Sequence, residues 1–308
     1  MKKVDFFIIG APKCGTTSLY EYLYTHPEIC FSDSKEPNYF SYDFPKYRTT
    51  FSIDEYYDKE FSHCHSNSKL FGESSVWYLY SKVAIKEIYK YNPDAMIIIL
   101  LRNPLDMLPS LHSQLLYNLD EDIVDFETAW KLQEQRSESR HIPKYCRVAE
   151  FLQYKNIGMY SRQLKRVYSY FPKHQVKIIL FDNLIKNPSE VYADTLKFLG
   201  LKNDNRTSFH ISNQNKSLIF KPLAILIQRP PEFVTSTVKR LKKLLHIHKF
   251  GIYPLMDKMN IFLNTQKKTR KPLDPYFIKI MHDTFIQDIN KTEKIINMDL
   301  SSWKNYSQ

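Results

Sequence analysis

A short stretch near the start of the chain constrains the fold more than any other part of the sequence. It reads VDFFIIGAPKCGTTSL and covers residues 4–19. The apolar run at 6–9, followed by apolar residues at helical spacing from Leu19, predicts a buried strand, a turn and a helix N-terminus. Because the first amides of a helix lack partners inside it, the turn is predicted to be an anion site.

The glycines of this turn have the spacing of the nucleotide-triphosphate loop G-x-x-x-x-G-K-[ST], but the lysine is displaced. Gly10 and Gly15 match that pattern, whereas Thr16 stands where the lysine belongs and Lys13 comes earlier. In that loop the lysine reaches the terminal phosphates, so the displacement argues against an ordinary ATPase or kinase. An ordinary strand-to-helix turn is the alternative. We favour anion binding, because a lysine and three consecutive hydroxyl residues at 16–18 surround the helix start.

The composition is that of a large α/β domain with an anionic partner. The chain has 308 residues, 43% of them hydrophobic, and a formal net charge of +11. That charge suits an anionic ligand, a polyanionic substrate or an acidic membrane surface. Charge alone also suggests a nucleic-acid-binding protein, but no basic and aromatic binding motif supports that class, so we expect no nucleic-acid partner.

The cysteines predict a reducing compartment. Cys14, Cys30, Cys64 and Cys146 have neither the spacing of zinc ligands nor that of a disulfide framework. A metal site at 63–65 lacks a second cluster, so a solvated loop is the favoured interpretation. The apolar run near the start is too short for a signal peptide, and no run approaches the length of a membrane span. We expect a cytoplasmic protein, with contact to the inner face of the membrane left open.

A second candidate anion site follows the most apolar strand of the sequence. Residues 96–101, MIIILL, show no alternation, which is typical of a parallel strand buried on both faces. Arg102 ends that strand, Asn103 is a favourable N-cap, and Ser110 lies two turns along the same helix face. An arginine beside a helix start and a serine can bind an anion. A simple salt bridge or capping arrangement is an equal alternative.

The rest of the chain predicts an α/β fold with a mostly parallel sheet. Strand and helix patterns alternate, so ligands are expected at the carboxyl ends of the strands, where both candidate anion sites lie. Residues 217–263 differ, because they are basic, apolar and interrupted by proline. Their helix at 231–250 has two interpretations. We favour a helix that covers the sheet with a solvated basic side, and contact with a membrane or polyanion stays open.

Several motifs, taken together and in this order, resemble the sulfotransferases that use PAPS, 3′-phosphoadenosine 5′-phosphosulfate. The similarity is to bacterial proteins related to the glycan (heparan sulfate-type) enzymes and runs nearly end to end. It rests on PKCGTTSL at 12–19, KEPNYF at 35–40, GESSVWYL at 72–79, LRNPLDMLPS at 101–110 and KTRKPLDP at 268–275. The resemblance implies a P-loop-like three-layer α/β fold and sulfuryl transfer that needs no metal.

The resemblance also implies how the cofactor PAPS and its product PAP are bound. Residues matching the loop that holds the 5′-phosphosulfate are Lys13, Cys14, Gly15, Thr16, Thr17 and Ser18. Arg102 and Ser110 match the pair that binds the 3′-phosphate. Tyr160 lies where relatives make a nearby contact, and Lys268 and Arg270 lie in the C-terminal stretch that closes over the cofactor.

The same resemblance assigns the catalytic groups and the acceptor. Glu36 matches the base of the glycan branch, and Lys13 is expected to stabilise the charge on the leaving oxygen. Ser74 stands where animal glycan enzymes often have a lysine, so the resemblance leaves open whether the acceptor contacts match theirs. His112 is a second candidate base, or, as we favour, a histidine on the surface of a helix.

Several alternatives stay open at the level of the whole chain. A saccharide or polysaccharide, anionic or neutral, is the favoured acceptor. A lipid, polyketide or other small-molecule hydroxyl is the alternative, and a P-loop nucleotide kinase is the alternative of another class. We predict one sulfotransferase domain over 1–308, with a basic helical insertion at 217–263 and a cofactor-closing loop and helix at 264–308. The position sulfated and the oligomeric state are left open.

Overall fold

The computed structural model describes residues 3–65, 68–210, 216–218, 220–228, 265–267 and 272–305. Its centre is a five-stranded sheet in the order β2-β3-β1-β4-β5, and every neighbouring pair is parallel. The five strands are Phe6–Gly10 (β1), Ile29–Phe31 (β2), Leu70–Ser74 (β3), Met96–Leu101 (β4) and Val176–Leu180 (β5). The predicted α/β fold with a mostly parallel sheet is confirmed.

Helices connect the strands and continue to the end of the described chain. They are α1 Thr16–Tyr24, α2 Ile53–Glu60, α3 Ala84–Tyr91, α4 Pro104–Tyr117, α5 Phe126–Lys131, α6 Gln133–Ser137, α7 Tyr154–Gly158, α8 Tyr160–Tyr168, α9 Phe181–Lys186, α10 Pro188–Phe198, α11 Lys221–Gln228, α12 Pro275–Ile296 and α13 Ser301–Lys304. The short strands β6 Lys216–Leu218 and β7 Thr265–Lys267 form an antiparallel pair. Among the described helices, none is long and apolar enough to cross a membrane.

The strand order positions the predicted anion sites side by side, at the carboxyl ends of the neighbouring strands β1 and β4. Strand β1 is buried along its whole length, and Phe6 pairs with Gly72 of β3 on one side and with Met96 of β4 on the other. From β1 the chain first builds the β3 side and then the β4 side. A crevice for ligands forms outside the carboxyl ends of strands where the order reverses in this way. The ends of β3, β1 and β4 are therefore neighbours.

The chain divides into two compact units. One contains Met1–Pro109, Gln153–Asn213 and Leu273–Gln308, and the other contains Ser110–Leu152 and Gln214–Pro272. The central sheet lies in the first unit. The basic segment at 231–250, with its two interpretations, lies outside the described residues, so the predicted insertion and the single domain stay predictions.

Two of the cysteines form a disulfide, which corrects the expectation that their spacing forms no disulfide framework. Cys30 and Cys64 form a disulfide with their Cα atoms 5.9 Å apart, whereas Cys14 and Cys146 are free. No local pattern indicates this bond, because the two cysteines are 34 residues apart and belong to no spacing pattern. The bond joins β2 to the turn after α2, and β2 pairs with β3, which follows that turn in the chain. His63 Nε2 lies 3.5 Å from Cys30 Sγ, so this histidine of the predicted loop at 63–65 lies beside the disulfide.

Candidate functional site

The loop between β1 and α1 is shaped by two residues with left-handed backbone. Lys13 has φ 60° and Gly15 has φ 86°, and Gly15 is the N-cap of α1. This double turn brings the chain from the end of a buried strand directly into a helix start. The first amides of that helix have no acceptor within the helix and are available to an anion. The predicted strand, turn and helix start are confirmed.

Gly15 also allows a close approach of helix α9. A Cβ atom at this position would lie 2.7 Å from Leu184 Cδ2 and 3.1 Å from Phe181 Cδ2. Both the positive φ and the lack of space require glycine here. The loop is therefore held against α9, and its shape is part of the packing of the first unit.

The hydroxyl residues at the helix start connect the loop to the predicted base. Thr16 and Ser18 are buried, whereas Thr17 is half-buried and its Oγ1 accepts a hydrogen bond from Lys35 Nζ at 2.5 Å. The same ammonium lies 3.8 Å from Glu36 Oε1, and the two charged side chains are about a third exposed, at 31% and 32%. Lys35 thus brings the Glu36 carboxylate beside the helix start. Lys35 belongs to the KEPNYF motif, but that motif alone did not indicate its role.

Cys14 contributes its backbone to the loop and buries its side chain. Its thiol donates to the Pro12 carbonyl at 3.4 Å, and burial raises the pKa of this thiol to about 12. The thiol is therefore protonated at neutral pH and is a poor nucleophile. Only its amide and carbonyl are suited to a role in ligand binding.

Tyr160 joins the two predicted anion sites from inside the protein. Its hydroxyl donates to the Arg102 carbonyl at 3.0 Å and lies 3.8 Å from Cys14 Sγ. The side chain is 1% exposed, and burial raises the pKa of its phenol well above the usual value. The phenol is a neutral link between the loop and the end of β4. The contact with the cofactor that the resemblance implies stays a prediction.

The second predicted anion site begins directly after β4. The Arg102 guanidinium carbon lies 4.5 Å from the centre of the Phe181 ring, a cation–π contact that orients the side chain. Asn103 Oδ1 accepts from the amide of Leu105 at 3.1 Å, as the predicted N-cap should. Ser110 is buried on α4 and opens the second compact unit. Its pairing with Arg102 stays a prediction.

His112 is a buried residue, and the favoured interpretation of a histidine on a helix surface is wrong. Its Nε2 lies 2.8 Å from the Ile123 carbonyl oxygen, and its ring lies 5.2 Å from the Phe126 ring. Burial lowers the pKa of the imidazole. The ring therefore packs in the interior of the second unit. Lys268 and Arg270, the other pair of predicted cofactor residues, lie outside the described residues.

A buried carboxylate at the end of β3 was not recognised as a functional residue from the sequence. Glu73 is fully buried, and its carboxylate accepts hydrogen bonds from Ser75 Oγ at 2.7 Å and from the Tyr56 hydroxyl. Burial raises the pKa of this carboxyl to about 7, and the hydrogen bonds from Ser75, Tyr56 and Tyr78 oppose that rise. The GESSVWYL motif was the available signal. What it could not indicate is that these side chains converge on one carboxylate.

Comparison with known proteins agrees with this geometry. The family model described as "Sulfotransferase domain" matches residues 3–221. The chain is 30% identical over 201 residues to the human protein "Bifunctional heparan sulfate N-deacetylase/N-sulfotransferase 3", covering 64% of this chain and 22% of that protein. It is 24% identical over 281 residues to the human "Carbohydrate sulfotransferase 15", covering 74% of this chain and 48% of that protein. The chain thus spans less than half the length of these two relatives.

A solved structure shares the fold over nearly the whole chain. The crystal structure of a sulfotransferase from Alicyclobacillus acidocaldarius has a TM-score of 0.69 and 24% sequence identity. The match covers 99% of this chain and 100% of the other. The predicted P-loop-like arrangement, a parallel sheet between layers of helices, is confirmed.

Proposed function

The chain belongs to the sulfotransferase family, and from that premise we propose that it transfers a sulfuryl group from PAPS to a hydroxyl or amine of a saccharide. PAPS is proposed because the motifs that resemble PAPS-dependent enzymes lie at the strand ends where ligands bind in this fold. The saccharide is proposed because the relatives are named for heparan sulfate and carbohydrate.

The observation that carries the proposal is the position of Glu36 beside the helix start. One ammonium group, Lys35 Nζ, lies 2.5 Å from Thr17 Oγ1 and 3.8 Å from Glu36 Oε1. A carboxylate is the kind of group that takes a proton from an attacking hydroxyl. A helix start is the kind of site that holds an anionic leaving group. Their closeness supports a transfer reaction between an anionic donor and a hydroxyl acceptor.

The donor groups at the two strand ends fit a nucleotide with two anionic groups. We infer that Lys13, Cys14, Gly15, Thr16, Thr17 and Ser18 hold the 5′-phosphosulfate through amides, hydroxyls and one ammonium. Arg102 and Ser110 are inferred to hold the 3′-phosphate, since a guanidinium presents paired donors to phosphate oxygens. Tyr160, Lys268 and Arg270 complete the proposed set.

The residues then have distinct roles in the reaction. When bound, PAPS supplies the sulfuryl group for in-line attack by the acceptor. Glu36 takes the proton of the attacking hydroxyl or amine. Lys13 and the loop amides stabilise the negative charge that develops on the leaving oxygen. Lys35, bound to Thr17 Oγ1 and paired with Glu36, keeps the Glu36 carboxylate near the helix start.

A calorimetric titration with PAP in the absence of magnesium tests this proposal. We expect saturable binding with one site per chain, and binding unchanged when magnesium is added. A parallel titration with ATP and magnesium covers the nucleotide kinase alternative. Tight ATP binding together with no PAP binding would overturn the proposal.

The acceptor is tested separately by following sulfate transfer from PAPS. We propose to compare a panel of sulfated and unsulfated glycans with a panel of lipid and small-molecule alcohols. Transfer to glycans supports the saccharide. Transfer only to the second panel retains the sulfotransferase activity and replaces the acceptor.

A further inference from the structure

Glu73 is an ionisable group placed in the interior with an unusual number of hydroxyl neighbours. It lies on β3, where it pairs with Phe7 of β1, and it is fully buried. Hydroxyls of Tyr56, Ser75 and Tyr78 hydrogen-bond to its carboxylate. Since the side chain has no exposed surface, it is not in a position to touch an acceptor. Any effect of Glu73 on the reaction must therefore pass through the side chains that contact it.

Two of those hydroxyls also bind the segment that carries Glu36. Ser75 Oγ accepts from the Asn38 amide at 3.0 Å, and the Tyr78 hydroxyl accepts from the Phe40 amide at 3.2 Å. A hydroxyl has one proton and two lone pairs. When its proton is given to Glu73, its lone pairs are directed to the amides. The carboxylate therefore fixes the direction of both hydrogen-bond relays.

The first relay continues to Glu36 itself. Asn38 adopts a left-handed backbone with φ 53°, a conformation that asparagine tolerates better than most residues other than glycine. Its side-chain amide donates to the Glu36 carbonyl at 2.8 Å. Hydrogen bonds thus connect Glu73 through Ser75 and Asn38 to the backbone carbonyl of Glu36, the residue proposed as the base.

We propose that Glu73 is a positioning residue, whose buried carboxylate, through Ser75 and Tyr78, holds the segment 36–40 in the conformation that presents Glu36 to the acceptor. This inference rests on the proposed function, because it takes Glu36 as the base. Nothing in the proposed reaction requires Glu73 to exchange a proton with substrate.

The protonation state of Glu73 matters to this arrangement. The groups that face it are Tyr56 and Glu60 from α2, Tyr78 from the turn after β3, and Tyr91 from α3. Burial, with a smaller contribution from the Glu60 charge, raises the pKa of the Glu73 carboxyl to about 7. A protonated carboxyl must donate to one of its hydroxyl neighbours, which reverses one hydrogen bond. Turnover should therefore rise as Glu73 ionises.

The test compares Glu73→Gln and Tyr78→Phe with the control Tyr57→Phe. Tyr57 lies on α2 and shares a hydroxyl hydrogen bond with Tyr91, so its replacement removes a buried phenol hydroxyl whose partner is Tyr91 and is neither Glu73 nor a backbone amide of the segment 36–40. We expect kcat to fall about 100-fold in Glu73→Gln and about tenfold in Tyr78→Phe, since small misplacements of a catalytic group have effects of this size. PAP affinity should stay within about threefold in all three variants, because the loop amides bind PAP.

Two further readouts separate positioning from a loss of stability. Hydrogen exchange of a peptide covering 36–44 should become faster in Glu73→Gln and Tyr78→Phe and stay unchanged in Tyr57→Phe. The rise of wild-type kcat through about pH 7 should be absent in Glu73→Gln. If Glu73→Gln does not fold, Ser75→Ala takes its place, since it removes the relay to Asn38.

The outcomes distinguish this inference from the proposed function. If wild-type protein neither binds PAP nor transfers sulfate, the proposed function fails, and hydrogen exchange still decides whether Glu73 orders the segment. If wild-type protein is active but Glu73→Gln and Tyr78→Phe match Tyr57→Phe in kcat and exchange, the positioning role is overturned. A parallel loss of kcat, PAP affinity and melting temperature would overturn it as well.

Discussion

Single side chains carry the proposed chemistry, and Lys13 is the one expected to act on the leaving group. It lies in the left-handed turn before α1, beside amides that have no helical acceptor. Such donors are more effective inside a preorganised site than in water. The loop provides that preorganisation, because Gly15 packs against α9 and Cys14 is buried.

Lys13→Ala should lower kcat by about 10²–10³-fold, because loss of one donor to a developing charge typically costs that much. Steady-state sulfate transfer from PAPS measures it. Lys86→Ala, an exposed lysine on α3, is the control and should leave kcat unchanged. A Lys13→Ala variant within threefold of wild type would show that the ammonium is not needed for turnover.

Glu36→Gln should abolish most of the turnover while PAP binding stays near the wild-type value. A glutamine cannot accept the proton of the acceptor, and general-base catalysis contributes about 10²–10⁴-fold. Transfer assays and PAP calorimetry on the same preparation measure the two properties. Glu138→Gln, an exposed carboxylate, is the control. Normal turnover in Glu36→Gln would remove this residue from the role of base.

Among the elements, the unit of β1, loop and α1 depends on Gly15 and the segment after β2 depends on a disulfide. Each feature holds part of the proposed site to the sheet. The loop packs against α9, and Cys30 of β2, six residues before Glu36, is bonded to Cys64 beyond the end of α2. The contribution of each feature to stability can be measured with one substitution at each position.

Gly15→Ala should destabilise the protein by about 2–3 kcal/mol, because it adds both a left-handed alanine and a steric overlap. Gly200→Ala is a matched control, since Gly200 also has a positive φ, 69°, but a Cβ atom there meets nothing within 4 Å. The control should lose only about 1 kcal/mol. Urea denaturation compares the two, and equal losses would mean that the contact with α9 is unimportant.

Replacing Cys64 by serine should lower the free energy of unfolding by about 3–4 kcal/mol, since the bond closes a loop of 34 residues in the unfolded chain. Cys146→Ser, which removes a free thiol, is the control. Denaturation without reductant measures the effect. Four reactive thiols in the unfolded, unreduced wild-type protein would contradict the disulfide.

For the whole molecule, we expect the free energy of unfolding to fall as pH rises, over a range set by the pKa of Glu73. The pKa of this carboxyl is about 7 in the folded protein, and its usual value of 4.5 applies to the unfolded chain. Between these values the folded form holds more protons than the unfolded form, so the free energy of unfolding falls as pH rises and then levels off. The contribution is about 3 kcal/mol.

Urea denaturation at several pH values between 4.5 and 8 measures this dependence in wild type and in Glu73→Gln. The wild-type curve should lose more stability over this range than the variant curve. Parallel curves would mean that Glu73 does not titrate there. If the dependence is found, the protein is less stable in the protonation state in which it is proposed to be most active, a common compromise at functional sites.

Across the whole chain, sequence patterns predicted the features that depend on residues close together in the sequence. The run at 96–101 and the glycines of the first loop gave a strand and a turn at the observed positions, because burial and positive φ are local requirements. The partners of Cys30 and Glu73 depend on which strands pair, and no local pattern records that. The burial of His112 likewise depends on residues 11 and 14 positions ahead, beyond the range of helical periodicity.

The contacts of Tyr160 fix the distance between the two parts of the proposed nucleotide site, the loop after β1 and the end of β4. The phenol joins Cys14 of the loop to the Arg102 carbonyl, and Ala11 is already bonded to Leu100 of the neighbouring strand. Loop and strand end therefore cannot slide apart without breaking buried contacts. If the loop and the end of β4 bind the two anionic groups as proposed, this fixed separation should favour a nucleotide whose groups match it over one of equal charge with a different spacing.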